Sequence, residues 1–302
     1  MKAKNDCKRS PFFYVGDKFK LLPQLKENFP TNIDRFIEPF CGGGSVFLNI
    51  EAKEYLLNDI NEYLINLHKF LIEYSSKQDD FWKQIKLTIE KYNLTATFIG
   101  RDVPPKYRKE FVKTYFAKYN KEAYMNMRND FNSDKDDMML LYLLIIYGFN
   151  RMLRFNKSGD FNLPVGNVDF NTNVESALSS YFNYVSIKHI ELYNLDFESF
   201  IKQVSPTAND FIYLDPPYLI TSSEYNKLWN EDNEVRLLSL LDELNEHNIK
   251  FAISNILKHK DKVNTIFIDW AKKYTIVPIQ SNYISYHDNT EKNSIEVLVK
   301  NY

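Results

Sequence analysis

The sequence predicts an α/β protein whose strands are parallel and joined by helical crossovers. Short apolar runs that predict strands alternate with longer stretches in which apolar residues recur at the helical period. Two of the apolar runs lead directly into motifs rich in glycine or proline, FCGGGS after residue 39 and DPPY after residue 214. The 302 residues are enough for one large domain or two, with a sizeable core.

The front of the chain supplies two predicted strands, RFIEPF (35–40) and EYLLND (54–59), separated by GGGS and a short helix. A helical pattern, INEYLINLHKFLIEY, follows the second strand. From about residue 80 to 148 the pattern is helical and charged, and it ends in the apolar run MMLLYLLIIYGF. That run is too short to span a membrane and predicts a buried helix.

Strands alternate with helices again after residue 171. VSIKHI (185–190), DFIYLD (210–215) and KFAISN (250–255) are the predicted strands, and DFESFIKQV and NEVRLLSLLDELNEH are helices between them. We therefore predict one α/β domain, residues 1–75 and 172–302, interrupted by an inserted, mostly helical domain at 76–171.

Composition limits the classes of function. The formal net charge is −2, so affinity for nucleic acid requires a local basic patch. Two cysteines, Cys7 and Cys41, cannot form a disulfide framework or a zinc site by themselves. The five histidines are scattered, and none is assigned chemistry. No secretory signal precedes residue 14, so a cytoplasmic protein without metal is expected.

The glycine motif predicts a nucleoside-type ligand. Three glycines, Gly42 to Gly44, follow an apolar strand, where they permit a tight turn and close approach of a ligand to the backbone. Asp59 stands at the end of the next predicted strand, at the position that suits a pair of ribose hydroxyls. A glycine-rich loop without function is the alternative. Neither the dinucleotide nor the P-loop spacing is present, so the motif does not favour those two kinds of ligand.

The string LDPPY places a carboxylate where parallel sheets bind ligands. Asp215 ends an apolar strand, and the two prolines remove two N–H donors, which leaves nearby carbonyls without a local partner. Asp215 and the Pro216 carbonyl can then accept two hydrogen bonds from one amino group, while Tyr218 stacks on the ring that carries it. A strand-terminating turn is the structural alternative.

FIEPFCGGGSVFLNI followed by YLDPPY, with a large insert between them, resembles the Dam-type adenine-specific DNA methyltransferases in the alpha-type order of motifs. PFFYVGDKFKLLPQL is similar to the family's N-terminal cofactor motif, and YGFNRMLRFNKSGDFNLPVG is similar to its DNA-reading hairpin. The segment from DPPY to residue 251 most resembles the T-even phage type. The resemblance implies a Rossmann-like methyltransferase sheet that uses S-adenosylmethionine, with a DNA-recognition domain inserted into it.

The resemblance also assigns roles by position. The catalytic set would be Asp215, Pro216, Pro217 and Tyr218, and the cofactor-binding residues would be Tyr14, Gly16, Lys18, Pro39, Phe40, Gly42, Asp59 and Asp196. In the insert, residues 101–128 carry eight basic and three acidic side chains. Such a charge run by itself is typical of a solvated helix face, and the resemblance is what favours phosphate contact. The hairpin near 149–168 would contact DNA, and the expected DNA-binding residues are Arg108, Lys113, Phe149, Asn150, Arg151, Met152, Arg154, Asn156, Lys157 and Pro164.

The expected function is methyl transfer from S-adenosylmethionine to the amino nitrogen of adenine in double-stranded DNA, with a restriction endonuclease of the same site as a further partner. A methyltransferase for cytosine amino groups, RNA adenine or a protein amide is the first alternative, and a catalytically silent DNA-binding relative is the second. GATC is the first recognition sequence to test. Val168 stands where GATC-reading relatives tend to have an arginine.

Overall fold

A central sheet organises the protein in the computed structural model, which describes residues 7–221, 229–280 and 294–302. The sheet order is β3-β2-β1-β4-β5-β8-β7, and β6 pairs with β5. The strands are β1 Arg35–Glu38, β2 Glu54–Asn58, β3 His189–Tyr193, β4 Phe211–Leu214, β5 Lys250–His259, β6 Lys262–Val263, β7 Thr275–Ile279 and β8 Ser294–Lys300. β1 to β5 pair in parallel, whereas β8 is antiparallel to β5 and β7. The predicted α/β fold is confirmed.

The strand order creates a switch point between β1 and β4. From β1 the chain proceeds to β2 and β3 on one side, and it returns to β4 and β5 on the other side. Crevices at the carboxyl ends of such strands are where open α/β sheets bind ligands. The glycine motif follows β1 and the DPPY string follows β4, so both motifs lie at this point.

Helices cover both faces of the sheet, and α2 to α7 form the long segment of the chain that connects β2 to β3. They are α1 Leu22–Lys26, α2 Glu62–Tyr74, α3 Gln78–Lys91, α4 Pro105–Glu110, α5 Tyr115–Ser133, α6 Met138–Tyr147, α7 Thr172–Val185, α8 Phe197–Val204, α9 Glu231–Glu246 and α10 Thr265–Ala271. At the starts of α2, α7 and α9, backbone N–H groups donate hydrogen bonds to the side chains of Asn61, Asn171 and Asn230. Such caps satisfy backbone donors that have no partner within the helix.

Alternate strand residues enter two different cores. Phe36 and Tyr55 pack with α2, α6 and α7 on one face, while Ile37 and Leu56 pack with α8 and α9 on the other. This follows from the two-residue period of a strand, and it explains why the strands are apolar throughout. The first core continues into the helices of residues 76–171, where Tyr142 donates a hydrogen bond to the Pro11 carbonyl at 3.1 Å. The division into two domains stays a prediction.

Several predicted elements differ from the observed ones. The strand predicted at 185–190 is displaced, because α7 continues to Val185 and β3 spans His189–Tyr193. The short helix predicted after the glycine motif is a single 3₁₀ turn, Phe47–Asn49. The apolar run of residues 138–149 does form the buried helix α6. In the part of the chain that the structure describes, no helix combines the length and apolar character needed to cross a bilayer.

Candidate active site

Asp215 stands at the carboxyl end of β4, whose four residues are all buried. Its Oδ1 atom lies 2.8 Å from Lys18 Nζ and accepts a hydrogen bond from the Tyr218 hydroxyl at 3.0 Å. No described residue donates a hydrogen bond to the carbonyl of Pro216, which is buried beside the carboxylate. The DPPY string therefore presents a held carboxylate next to a carbonyl with acceptor capacity.

Lys18 lies at the catalytic string as well as in the N-terminal motif. Its side chain is 4% exposed, and Nζ lies 5.1 Å from the ring centroid of Tyr218. Its ion pair with Asp215 joins the N-terminal segment to the carboxyl end of β4. Sequence reasoning placed Lys18 among the cofactor-binding residues and did not foresee this pairing.

Two buried acids surround this pair and were not identified from the sequence. Glu38 ends β1 and Glu296 lies in β8, and each residue is 2% exposed. Glu296 Oε1 lies 3.3 Å from the Tyr218 hydroxyl and 3.9 Å from Lys18 Nζ. Burial, and then the charge of Asp215, raises the pKa of Glu38 well above its usual value. The available signal was a charged residue inside an apolar strand, as in RFIEPF and SIEVLV.

The glycine loop folds against the N-terminal motif. Gly42 has a φ of +49° and Gly44 a φ of +76°, which side chains rarely tolerate. A Cβ atom on Gly43 would lie 2.8 Å from Tyr14 Cβ, so only glycine permits this approach of the loop to Tyr14. The Ser10 hydroxyl donates to the Gly43 carbonyl. A Cβ atom on Gly42 would lie 3.9 Å from Tyr14 Cδ1, so Gly42 is adjacent to Tyr14 as well.

Asp59 follows β2 beside the loop. Its Oδ2 accepts the Gly42 N–H at 2.9 Å, and its Oδ1 accepts the Asn61 N–H at 2.9 Å. Burial raises the pKa of Asp59 to about 6, against the lowering effect of these two bonds. Each carboxylate oxygen keeps a further lone pair, so two ligand hydroxyls can still be accepted.

Asn58 connects three strand ends and was missed by sequence reasoning. It is 1% exposed, and its Nδ2 donates to the carbonyls of Pro39 at 2.9 Å and Leu195 at 3.0 Å. Its Oδ1 accepts the Leu195 N–H at 2.9 Å. Both polar atoms of this buried side-chain amide form hydrogen bonds, and these bonds fix the ends of β1, β2 and β3 relative to one another. Pro39, a predicted cofactor residue, is one of the groups it holds.

His68, to which the sequence analysis assigned no role, forms a hydrogen bond with the backbone of the glycine loop. Nε2 lies 2.9 Å from the Gly42 carbonyl, and Nδ1 lies 3.0 Å from the Tyr181 hydroxyl. Because a carbonyl only accepts, the proton resides on Nε2 and the Tyr181 hydroxyl donates to Nδ1. Burial lowers the pKa of His68 to about 4. The imidazole is therefore neutral at physiological pH.

Three aromatic rings line the other side of the strand ends. Phe40 lies 5.6 Å from Phe197 and 5.7 Å from Trp229, measured between ring centroids. Asp196 caps α8 by accepting the Glu198 N–H, and its Oδ1 also lies 2.7 Å from an Arg236 nitrogen. Asp196 is therefore at the same edge of the sheet as Asp59, with one oxygen already engaged.

Gly16 completes the predicted cofactor set. It is exposed, has a φ of +83° and lies in the N-terminal segment between Tyr14 and Lys18. Nothing lies within 4 Å of where its Cβ would be, so the positive φ and not crowding accounts for glycine here.

The base of the hairpin opens onto a cavity. Gly148 and Val165 pair there, and the cavity of about 410 Å³ is lined by Phe13, Gly148, Phe149, Asn150, Arg151, Gly166, Asn167 and Val168. Phe149 is 52% exposed, and Asn150 and Arg151 both have a positive φ, of 53° and 52°. The Arg151 guanidinium lies 4.3 Å from the ring centroid of Phe13, so it bridges the hairpin and the N-terminal segment.

Other hairpin residues fall into two groups. Within the hairpin, the Arg154 guanidinium donates to Asn162 Oδ1 at 2.9 Å and to the Asn162 carbonyl at 2.7 Å. Asn156 shapes the turn, because its Oδ1 accepts the N–H groups of residues 158 and 160. Lys157 and Pro164 are exposed, whereas Met152 packs partly against the core.

The basic run lies on α4, α5 and their connection. Arg108 pairs with Asp102 at 2.6 Å, and its guanidinium lies 4.5 Å from the ring centroid of Tyr115. Lys113 is exposed. Asn167 accepts the N–H of Phe116 at 3.0 Å at the start of α5, so it ties the hairpin to this basic run. Among the described residues, no group of three or more His, Cys, Asp or Glu is placed to hold a metal ion.

Comparisons with known proteins agree with this geometry. The family described as D12 class N6 adenine-specific DNA methyltransferase matches residues 14–284. Type II methyltransferase M.FokI of Planomicrobium okeanokoites is 34% identical over 99% of this chain and 43% of its own length. Modification methylase StsI of Streptococcus sanguinis is 32% identical over 97% of the chain and 43% of its own length. The DNA adenine methylase of Escherichia coli K12 is 28% identical over 94% of the chain and 92% of its own length. The chain thus spans about two fifths of the first two relatives.

Proposed function

Because the chain belongs to the D12 class of N6 adenine-specific DNA methyltransferases, we propose that it transfers a methyl group from S-adenosylmethionine to the exocyclic amino nitrogen of adenine in double-stranded DNA. The observation that carries this proposal is the pairing of a held carboxylate, Asp215, with the acceptor carbonyl of Pro216 at the switch point. The glycine loop lies at the end of the neighbouring strand β1, and Asp59, at the end of β2, accepts the Gly42 N–H of that loop.

The catalytic set acts on the amino group. An aromatic amino nitrogen is a poor nucleophile because its lone pair is delocalised into the ring. Acceptance of its two N–H bonds by Asp215 and the Pro216 carbonyl favours a more pyramidal, nucleophilic nitrogen. Pro217 fixes the backbone after this carbonyl, and Tyr218 supplies a ring on which the flipped base stacks. The protein contributes alignment and a shaped electrostatic environment.

The cofactor-binding residues fit S-adenosylmethionine, which supplies an already activated methyl group. Asp59 accepts the ribose hydroxyls, the backbone at Gly42 and Pro39 approaches the ligand, and Phe40 offers an apolar wall. Tyr14, Gly16 and Lys18 close the site from the N-terminal segment, and Asp196 lies toward the adenine end of the cofactor. The positive φ of Gly42 and the remaining lone pairs of Asp59 support this fit.

The DNA surface comprises the hairpin and the basic run. Phe149 is the side chain best exposed for insertion between base steps, with Met152 as the alternative. Asn150, Arg151 and Arg154 lie toward base edges or phosphates. The sugar-phosphate backbone of the DNA is contacted by exposed residues at the rim, namely Arg108, Lys113, Asn156, Lys157 and Pro164. The hydrogen bonds of Arg154 to Asn162 favour a supporting role for that residue.

The site of methylation and the biological setting are further parts of the proposal. GATC is the first recognition sequence to test. The half-buried Val168 beside the cavity favours a recognition sequence that differs from GATC at one position, or that accepts more than one base pair there. One relative is named a modification methylase and another a type II methyltransferase, which supports a partner endonuclease for the same site. Action on cellular DNA places the protein in the cytoplasm. A T-even phage type remains a proposal from the resemblance alone.

The test uses methyl-labelled S-adenosylmethionine with duplex DNA, and nucleoside analysis of the product. N6-methyladenine is expected from the wild type, with loss of product in Asp215→Ala. Lys202→Gln, a change at an exposed lysine on α8, serves as a matched control and should retain activity. Label in cytosine or only in RNA favours the alternative substrates. Cofactor binding without any product, or undiminished product from Asp215→Ala, contradicts the proposal.

A further inference from the structure

The cavity at the base of the hairpin has an arginine, Arg151, in its wall. Of the residues that line the cavity, three have polar side chains, Asn150, Arg151 and Asn167. The amide of Asn167 is already engaged, because its Oδ1 accepts two N–H groups at the start of α5 and its Nδ2 donates to the Lys113 carbonyl. Asn150 is exposed and Arg151 is half-buried. These two side chains therefore hold the hydrogen-bonding capacity that the cavity offers to a ligand.

The Arg151 guanidinium forms no hydrogen bond and no ion pair with any residue that the structure describes, and its Nε atom is buried. Arg154, three residues later, differs, because its guanidinium donates to Asn162 twice. Burial lowers the pKa of Arg151 from its ordinary value, and the charge of Arg9 acts in the same direction. A partly buried cation without an acceptor is unfavourable. An acceptor from outside the chain would thus stabilise it.

The ring of Phe13 fixes the position of this guanidinium. Arg151 Cζ lies 4.3 Å from the ring centroid. Arg9 lies over the same ring at 5.2 Å, but Arg9 is paired with Asp17 at 3.0 Å. Stacking occupies one face of a guanidinium and leaves the N–H groups at its edge able to donate. Phe13 therefore positions a cation whose donors are available.

The backbone is strained at the same place. Phe13, Asn150 and Arg151 have φ values of +49°, +53° and +52°, in the left-handed region that side chains rarely adopt. They are three of the seven such non-glycine residues in the part of the chain that the structure describes, and all three line this cavity. Strained backbone of this kind concentrates at binding sites. Glycine would adopt the conformation of Arg151 without strain, so a use of the arginine side chain would offset the strain.

We propose that Arg151, positioned by Phe13, reads a guanine of the recognition sequence by donating to O6 and N7 of that base. The inference rests on the proposed function, because it requires duplex DNA at the hairpin. A guanine edge suits this site better than a phosphate, since its two acceptors lie in one plane and match a fixed, planar fork of donors. Phosphate contacts require no such fixed geometry, and the exposed lysines of the basic run suit them.

The first experiment maps the bases around the adenines that are methylated in a duplex library with randomised flanks. The wild type should require guanine at one or more positions. Arg151→Gly removes the side chain and suits the positive φ. At one of these positions its preference for guanine over other bases, measured as a ratio of kcat/KM, should fall by about tenfold or more. An unchanged preference in Arg151→Gly contradicts the proposal.

A base analogue tests the contact itself. In place of the guanine identified in this way, 7-deazaguanine keeps base pairing and lacks the N7 acceptor. The kcat/KM of the wild type should fall by about fivefold or more with the analogue, whereas that of Arg151→Gly should not change. Equal losses in both proteins contradict the proposal. So does a wild type that is indifferent to the analogue at every required guanine.

A second variant keeps the test decisive if Arg151→Gly does not fold. Phe13→Leu keeps an apolar side chain and removes the aromatic face on which the guanidinium lies. The analogue, placed in turn at each required guanine, should then cost less activity than in the wild type at one of them, because the fork of donors is no longer fixed. An undiminished effect of the analogue at every required guanine in Phe13→Leu contradicts the positioning role.

Phosphate contact is the competing role for Arg151. It predicts that Arg151→Gly weakens binding to all sequences alike and lowers the slope of log K against log salt by about one. That result, with an unchanged base preference, overturns the proposal. Lys202→Gln, at an exposed lysine on α8, is the matched control and should keep the base preference of the wild type.

Wild-type product distinguishes the two levels of failure. If the wild type forms no N6-methyladenine in any sequence of the library, the proposed function fails and this inference fails with it. If the wild type forms N6-methyladenine and Arg151→Gly has the same base preference, only the role of Arg151 is overturned.

Discussion

The side chain of Asp59 and the backbone of Gly42 meet across the ends of β2 and β1, where Asp59 Oδ2 accepts the Gly42 N–H at 2.9 Å. The bond fixes the carboxylate against the glycine loop, whose other face is supported by His68. A loop held from two sides can present its backbone to a cofactor without losing conformational entropy at the moment of binding.

Cofactor binding should depend on pH through Asp59. Its raised pKa of about 6 means that the carboxylate becomes protonated as the pH falls through that value, and a protonated acid accepts ribose hydroxyls less well. We expect S-adenosylmethionine to bind about tenfold more weakly at pH 5 than at pH 7.5, as measured by calorimetry. In Asp59→Asn binding should be weak at both values. Equal pH dependence in wild type and variant would be the contrary result.

Stability should depend on pH through His68. Its pKa is lowered to about 4 in the folded protein from 6.5, so the unfolded chain binds the extra proton between these values. The contribution of the neutral imidazole is therefore present above pH 6.5 and is lost as the pH falls toward 4. His68→Gln keeps an N–H donor but does not titrate in this range.

Urea unfolding at pH 7.5 and pH 5 measures the effect. The free energy of unfolding of the wild type, relative to His68→Gln, should decrease by about 2 kcal/mol between the two conditions. Other titrating groups contribute equally to both proteins and cancel in the comparison. The same difference at both pH values would show that His68 is not held neutral by burial.

The hairpin should lose DNA affinity when its contact with α2 is removed. The rings of Tyr63 and Phe155 are stacked, with centroids 4.3 Å apart and an interplanar angle of 16°. Tyr63→Ala and Phe155→Ala should each weaken DNA binding, with a coupling of about 0.5–1.5 kcal/mol in the double variant. Tyr63→Phe keeps the ring and should bind as wild type. A full effect of Tyr63→Phe would show that the hydroxyl, not the stack, matters.

Salt dependence should identify the phosphate contacts. Lys113 and Lys121 are exposed in the basic run. Replacing each by Gln should reduce the slope of log K against log salt by about one, because each phosphate contact releases about one counter-ion. The sequence preference should not change. Lys202→Gln, on the exposed side of α8, should leave the slope unaltered. An altered preference with an unaltered slope would assign these lysines to base reading.

The sequence by itself determined the parts of the fold that depend on neighbouring residues. The apolar run before Asp215 and the run before Asp59 formed β4 and β2, and the apolar stretch of residues 138–149 formed α6. Hydrophobic period, proline and glycine act over a few residues, so they can be read without knowing what packs nearby. Where the pattern was weak, as in VSIKHI, the predicted start of the strand was wrong by four residues, because α7 continues to Val185 before β3 begins at His189.

Only the tertiary structure decided which groups meet at the site. The pairing of Lys18 with Asp215, the approach of Glu296 and the support of Gly42 by His68 join residues that are distant in the chain. Each depends on the order of strands in the sheet and on which face a helix presents to it. A buried charge is stable only where its partner is placed, and that placement is a property of the whole packed fold.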